Sequence, residues 1–311
     1  MKITVIGAGN VGATAADCVA RKDIVDEVVI IDIVDGLPQG KALDIQESAP
    51  IHLFDTRVSG TNDYKDTAGT DIAIITAGSP RKPGMSRDDL LAINAKIVRS
   101  VTKQLMQDSP DAILIVVSNP LDVMAYAAFM ESGLPSEKVM GMAGVLDTAR
   151  YRAFIAMELG VSVRDIEALL LGGHGDTMVP LPRYTSVSGI PLPELMDEKT
   201  IHNIVERTKF GGGEIVKLMG TSAWYAPGAA AAEMAEAIVK DSGRVLPCAA
   251  RLEGQYGLKD IFLGVPVKLG HGGIKEIIEV ELSATEKEQM NKSAAHVDAN
   301  LEALARLDAA S

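Results

Sequence analysis

The sequence predicts an α/β protein in two parts: a doubly wound parallel sheet over residues 1–144, then an α+β domain over 145–311. Three observations carry this reading. Through the first half, short apolar runs alternate with helix-compatible stretches, the pattern of strand–helix units stacked into one parallel sheet. The runs at 28–33, 71–77 and 112–118 are continuously apolar rather than alternating, as strands covered on both faces are. In the second half, strands and long helices mix without that regular alternation.

The first apolar run, 3–6, leads into a helix over 10–21, and a strand at 28–33 into a helix over 38–47. Strands follow at 57–60, 71–77, 112–118 and 139–142, with helices at 88–107 and 121–131 between them. Beyond residue 144 come a helix at 147–159, an apolar run at 166–171 and the turn Gly172-Gly173-His174-Gly175-Asp176. Residues 184–187 with Ile190 read as a hairpin region. Helices are expected at 198–209 and 214–242, the second broken at Pro227-Gly228, since proline interrupts a helix interior. Strands at 245–252 and 261–269 and a polar helix at 285–307 close the chain.

Composition narrows the function classes. The 311 residues carry 30 basic and 42 acidic side chains, a net charge of −12. That balance argues against sequence-independent nucleic-acid binding, which needs basic residues to neutralise phosphates. It leaves room for a small anionic substrate held by a few local arginines. Cys18 and Cys248 are too few for a disulfide framework or a cysteine zinc site. With no CxxC, HExxH or EF-hand loop, no metal is expected. No apolar run approaches the roughly 20 residues of a membrane helix. The chain opens on a strand rather than a signal peptide. The expectation is a soluble cytoplasmic protein without nucleic-acid or membrane partners.

Gly7-Ala8-Gly9-Asn10-Val11-Gly12 fits GxGxxG, directly after a strand and opening a helix, and Asp32 closes the next strand. The first glycine permits a tight turn, the second lets a pyrophosphate approach the backbone, and the third lets helix and strand pack closely. The helix N-terminus favours an anion. Asp32 would accept from the ribose hydroxyls and repel a 2′-phosphate, so NAD is expected over NADP. The first part is therefore read as a Rossmann-type dinucleotide-binding domain. A P-loop is disfavoured, because Ala13 rather than lysine follows Gly12.

Residues 79–89, SPRKPGMSRDD, form a loop with two prolines and a glycine. It lies at the carboxyl end of the strand at 71–77, where open α/β sheets place their ligands. Arg81, Lys82 and Arg87 on it suit an anionic substrate. Asp147 and Arg150, three apart, share a helix face; a surface ion pair is the plainer account of them. His174 sits in its glycine-rich turn near Asp176. Isolated histidines are more often structural, and His52, His202, His271 and His296 lack such a setting.

Together these residues resemble the lactate/malate dehydrogenase family, in the lactate-dehydrogenase-like branch of its malate enzymes. The resemblance spans the whole chain and rests on GAGNVG at 7–12, AGSPRKPGMSR at 77–87, VSNPLD at 117–122, GMAGVLDTAR at 141–150 and GGHGDTMVP at 172–180. It implies reversible hydride transfer between (S)-malate and NAD, giving oxaloacetate and NADH. His174 resembles the base that takes the hydroxyl proton, and the acid of the reverse direction. Asp147 resembles the carboxylate that orients it. Arg150 resembles the residue that holds the substrate's C1 carboxylate with its guanidinium fork. Arg87 resembles the loop arginine that polarises the carbonyl when a lid closes. Asn119 resembles the contact to nicotinamide and substrate oxygen. Gly7, Gly9, Asn10, Val11, Gly12, Asp32, Asn94 and Val117 complete the cofactor-binding set.

By the same resemblance, Arg81 decides the substrate. Malate enzymes carry arginine at the matching position, and lactate enzymes usually glutamine. A second carboxylate buried without a partner is costly, and an arginine supplies a charge-assisted pair. Residues 221–225 fall where the family lines its substrate pocket, which places Ser222 and Ala223 there. A homo-oligomer is implied, a tetramer before a dimer, with 215–219 and 36–47 as candidate subunit contacts.

Three other readings remain: a lactate or other 2-hydroxy-acid specificity, an unrelated Rossmann enzyme, and a dinucleotide-binding module without catalysis. A short-chain dehydrogenase needs Tyr-x-x-x-Lys, and Tyr256 and Lys259 stand one residue too close.

Overall fold

The computed structural model describes residues 1–80 and 86–309. The expected substrate residue Arg81, with Lys82, lies outside the described residues.

The N-terminal half runs β1 (Lys2–Ile6), α1 (Asn10–Lys22), β2 (Glu27–Ile31), α2 (Leu37–Glu47), α3 (Ala49–His52), β3 (Arg57–Thr61), β4 (Ile72–Ile75), α4 (Arg87–Asp108), β5 (Ile113–Val116), α5 (Leu121–Ser132) and β6 (Val139–Gly141). There follow α6 (Gly144–Leu159), β7 (Ile166–Glu167), β8 (Leu170–Leu171), β9 (Val179–Pro180), β10 (Ser186–Val187), β11 (Ile190–Pro191) and α7 (Leu192–Leu195). The chain ends with α8 (Glu198–Met219), α9 (Tyr225–Val239), β12 (Val245–Glu253), β13 (Lys259–Gly270), β14 (Gly273–Ile277) and α10 (Ala284–Ala309).

Among the described residues, nine strands form one sheet in the order β14-β13-β12-β6-β5-β4-β1-β2-β3. β1 to β6 pair in parallel. β12, β13 and β14 continue the sheet antiparallel from β6, so the second half extends the sheet that the first half builds. The chain order reverses between β1 and β4, which opens a crevice at their carboxyl ends.

The apolar strands divide their side chains between two cores. Ile72 and Ile74 of β4 join Ile3, Val5, Ile113 and Ile115 on one face, under α1 and α9. Ala73 and Ile75 join Leu114 and Val116 on the other, under α4, α5 and α10. With helices on both faces neither set reaches water, so an alternating polar residue would be buried. A third core, with Tyr151, Ile155, Ile166 and Leu192, fills the interior of the second half.

Four elements differ from the sequence-based expectation. The run 166–171 splits into two short strands in different small sheets. α8 runs unbroken through Gly211-Gly212-Gly213, and the chain breaks at Gly220 instead. Pro227 then falls in the first turn of α9, where its missing N–H would have no helical partner anyway. A Cβ on Gly211 would stand 3.4 Å from Arg150 Cδ, in ordinary contact, and one on Gly213 would meet nothing within 4 Å, so crowding does not account for the triplet. β14, with the polar sequence GIKEI, escaped the reading because an edge strand buries little.

Candidate active site

The turn after β1 is shaped by two close approaches. Gly7 has φ +108°, and a Cβ there would press on Thr76 Oγ1 at 2.7 Å. A Cβ on Gly12 would lie 1.8 Å from the Gly7 carbonyl oxygen, so α1 and β1 meet at backbone distance only. Gly9 is different: a Cβ there meets nothing within 4 Å. It caps α1 in extended conformation with no side-chain hydrogen bond, so the first N–H groups, at Asn10 and Val11, lack a capping side chain. Asp32 closes this cradle, its Oδ2 accepting from Ala8 N–H at 2.7 Å and its Oδ1 from Val34 N–H at 3.0 Å. Each carboxylate oxygen keeps a further lone pair. An open glycine shelf, an uncapped helix N-terminus and a half-buried acceptor fit a dinucleotide's pyrophosphate and ribose.

At the other side of the crevice, Gly172 exchanges backbone hydrogen bonds with Gly264 of β13 at 2.9 and 3.0 Å. This docks the glycine-rich turn onto the sheet and presents His174. His174 Nδ1 lies 2.8 Å from Asp147 Oδ2, and Asp147 Oδ1 accepts from Arg150 Nη1 at 3.2 Å. Asp147 and Arg150 reach the site from the first turns of α6, whose spacing points both the same way. Asp176, the histidine's neighbour in sequence, lies instead on a cleft wall with Arg87. The Asp147 side chain is 3% exposed and the His174 side chain 20%. Burial works against the imidazolium, but the Asp147 carboxylate and, behind it, Asp122 outweigh it and raise the His174 pKa.

His174 stands between two cavities. One of about 260 Å³ is lined by Val11, Val117, Asn119, Arg150, Ser222 and Ala223 among others. It joins the cradle to the histidine, and in it the buried Arg150 Nε has no hydrogen-bond partner. The other, of about 280 Å³, holds Arg87, Asn119, Asp122 and His174. Arg87 opens α4 behind a capping box of Ser86 and Asp89, which fixes the helix start at the cleft mouth. Asn94 is buried, with its Oδ1 accepting from Ser79 N–H at 2.7 Å and its Nδ2 donating to the Asn119 carbonyl at 2.7 Å. It ties the segments after β4 and β5 together beneath Asn119.

Two buried groups went unread in the sequence. Asp122 Oδ2 accepts from His174 N–H at 3.0 Å, and Ser293 Oγ accepts from Gly173 N–H at 2.8 Å. The VSNPLD segment offered a trace of Asp122; nothing local pointed to Ser293, 120 residues away along the chain.

A glycine cradle facing a histidine–aspartate pair and a partly buried arginine defines a nicotinamide-dependent dehydrogenase. Residues 1–141 match the family lactate/malate dehydrogenase, NAD binding domain, and residues 144–307 match lactate/malate dehydrogenase, alpha/beta C-terminal domain. The chain belongs to the lactate/malate dehydrogenase family, and its first domain binds NAD. It is 68% identical over 307 residues to a malate dehydrogenase of Salinibacter ruber, covering 99% of this chain and 98% of that one. A solved structure of a Salinibacter ruber malate dehydrogenase superposes with a TM-score of 0.96 at 66% identity, covering 99% of both chains. A lactate dehydrogenase of Cryptosporidium parvum, solved with lactic acid and NAD, superposes with a TM-score of 0.93 at 42% identity, covering 97% of each. The fold alone therefore does not separate the two substrates. Among the described residues, no helix is long and apolar enough to cross a membrane.

Proposed function

We propose that the chain is a malate dehydrogenase that interconverts (S)-malate and oxaloacetate with NAD, a reaction of the tricarboxylic acid cycle, in the cytoplasm. The observation that carries the mechanism is the 2.8 Å contact of His174 Nδ1 with Asp147, inside a cavity shared with Arg150 and Asn119. When bound, NAD supplies the hydride acceptor, and in its reduced form the hydride.

The rest falls to the protein. Nδ1 is committed to Asp147, which leaves Nε2 to take the malate hydroxyl proton or return it to oxaloacetate. Asp147 holds the ring orientation and stabilises the imidazolium. Arg150 binds the C1 carboxylate with the part of its fork that Asp147 leaves free. Arg87 polarises the substrate carbonyl from the second cavity, and Asn119, between the cavities, positions that oxygen. Arg81 pairs with the second carboxylate and excludes pyruvate, whose methyl group would leave the guanidinium unpaired. The near-identity in fold with a lactate enzyme supports placing substrate choice in such a single contact.

The chain is read further as a homo-oligomer, a tetramer before a dimer. Leu43, Ile51 and Leu53 around α2 and α3, and Phe210, Leu218 and Met219 on α8, are large exposed apolar side chains of the kind that subunit contacts cover. Sedimentation tests this, and a monomer mass refutes it.

The test of function is loss of NADH absorbance with oxaloacetate and, in parallel, with pyruvate. Fast oxidation with oxaloacetate alone supports the reading. Equal or greater activity with pyruvate overturns the specificity, and silence with both overturns the catalytic assignment.

A further inference from the structure

Asp122 opens α5 and is 6% exposed. Its Oδ2 accepts from the backbone N–H of His174 at 3.0 Å, while its Oδ1 is buried without a hydrogen-bond partner. A buried carboxylate half satisfied in this way is costly. Its Oδ2 also limits the turn above it, since a Cβ on Gly173 would come within 3.2 Å. Ser293, fully buried on α10, holds the adjacent Gly173 N–H at 2.8 Å. Consecutive amides of the catalytic turn are thus seated on two side chains from different helices, one neutral and one ionisable.

Charge distinguishes the two seats. The groups around the imidazole are Asp147 and Arg150 from α6, Arg87 from α4, Asp122 from α5, Asp176 from its own turn and His296 from α10. Two of them act on its charge in the same sense: Asp147 at the ring, and Asp122 behind the backbone.

We propose that Asp122 is a positioning residue with two roles: it anchors the main chain of His174, and its carboxylate helps hold the ring as imidazolium for oxaloacetate reduction. This rests on the proposed role of His174 as proton donor. A neutral serine or asparagine would anchor the amide equally well; only a carboxylate does both. Burial pushes the Asp122 carboxyl up to about 6, with the His174 amide and charge pulling the other way, so it is ionised above that pH.

The experiment separates anchor from charge on the full-length protein. Asp122→Asn keeps an acceptor and removes the charge; Asp122→Ala removes both; Ser293→Ala removes one neutral anchor. The His174 ring is followed by NMR of ¹³C-labelled histidine, its signal assigned by its loss in His174→Asn, alongside the pH dependence of kcat/KM for oxaloacetate. In Asp122→Asn the His174 titration midpoint is expected to fall by about 1 pH unit, the lower end for an opposite charge nearby, with the activity limb following it. Ser293→Ala is expected to leave the midpoint in place. Asp122→Ala is expected to lose roughly 10- to 100-fold in kcat with NADH affinity unchanged, the scale of a misplaced catalytic group, and Asp122→Asn to recover part of it. An Asp122→Asn midpoint equal to the parent's overturns the charge role, and parental kcat in Asp122→Ala overturns the anchor. If Asp122→Asn does not fold, Asp122→Glu keeps the charge on a longer arm: a parental midpoint with reduced kcat supports the proposal, and a lowered midpoint overturns it. A parent without oxaloacetate turnover refutes the proposed function instead, while the NMR titration still tests Asp122.

Discussion

Asp147 connects His174 to Arg150: one carboxylate oxygen lies 2.8 Å from the imidazole Nδ1 and the other 3.2 Å from the guanidinium Nη1. A single buried side chain thereby sets the distance between the proposed proton-transfer group, His174, and the arginine proposed to hold the substrate carboxylate. Both depend on helix α6 starting at Gly144, because Asp147 and Arg150 share a face only in helical geometry.

Replacing Asp147 by Asn should cost about 10²–10⁴ in kcat, since an amide can present an N–H to Nδ1 and favour the wrong tautomer. The pH profile fixes the cause. Although burial opposes the charge on His174, Asp147 gives the largest upward contribution to its pKa. Oxaloacetate reduction needs the imidazolium, so activity holds at low pH and is lost as pH rises through the raised pKa. In Asp147→Asn that limb should move to lower pH, and malate oxidation should begin at lower pH by the same amount. A limb that stays in place removes Asp147 from this role.

Arg81→Gln tests substrate choice. The variant should lose about 2–5 kcal/mol of transition-state stabilisation for oxaloacetate, the scale of truncating one partner of a buried charge pair. Steady-state kcat/KM with oxaloacetate and with pyruvate measures it, and an unchanged ratio sinks the assignment.

Gly9 and Gly12 should separate cofactor binding from folding. A methyl at Gly9 meets open space in the protein, so Gly9→Ala should melt like the parent yet bind NADH more weakly, because that space is where the pyrophosphate must approach. A methyl at Gly12 collides with the Gly7 carbonyl at 1.8 Å. Gly12→Ala should therefore lose stability by about 1–3 kcal/mol or more, as overpacking does. Melting curves and fluorescence titration with NADH give both numbers, and identical behaviour of the two variants would contradict the geometry.

Asp122→Asn should stabilise the fold at neutral pH even as it impairs catalysis. Burial raises the Asp122 pKa from 3.8 to about 6. A raised folded-state pKa favours the folded state below the unfolded value, and that advantage is lost as pH rises through about 6. At pH 7.5 the ionised carboxylate is a net cost, of order 1–3 kcal/mol. Urea melts at pH 5 and pH 7.5 should show the gain of the variant growing with pH; a gain that shrinks would refute it.

Much of the first half could be read from sequence because its rules are local. Ile72–Ile75 is apolar throughout and becomes a doubly covered strand; Gly7 to Gly12 with Asp32 spells a cradle within one strand–helix–strand unit. The second half was harder. A glycine triplet suggested a break in α8, yet the helix continues through it to Met219 and ends at Gly220. Pro227 suggested a break in mid-helix and falls in the first turn of α9 instead. In both, single-residue propensity was too weak a guide to place the helix boundary.

The candidate catalytic set divides the same way. His174, Asp147 and Arg150 were nominated by residue type and family resemblance; chain proximity alone would have favoured Asp176, whereas the resemblance named Asp147, which the fold brings to the ring from 27 residues away. Asp122 and Ser293 act on His174 and Gly173 across 52 and 120 residues, a separation over which no periodicity operates. The sequence by itself determined the parallel sheet, the dinucleotide cradle and the inventory of chemical groups, because these follow from side-chain polarity and backbone freedom within a few residues. What seats the histidine's turn and how the second half extends the sheet were decided by tertiary structure alone. Those relationships are distances between elements remote in the chain, set only when the cores pack.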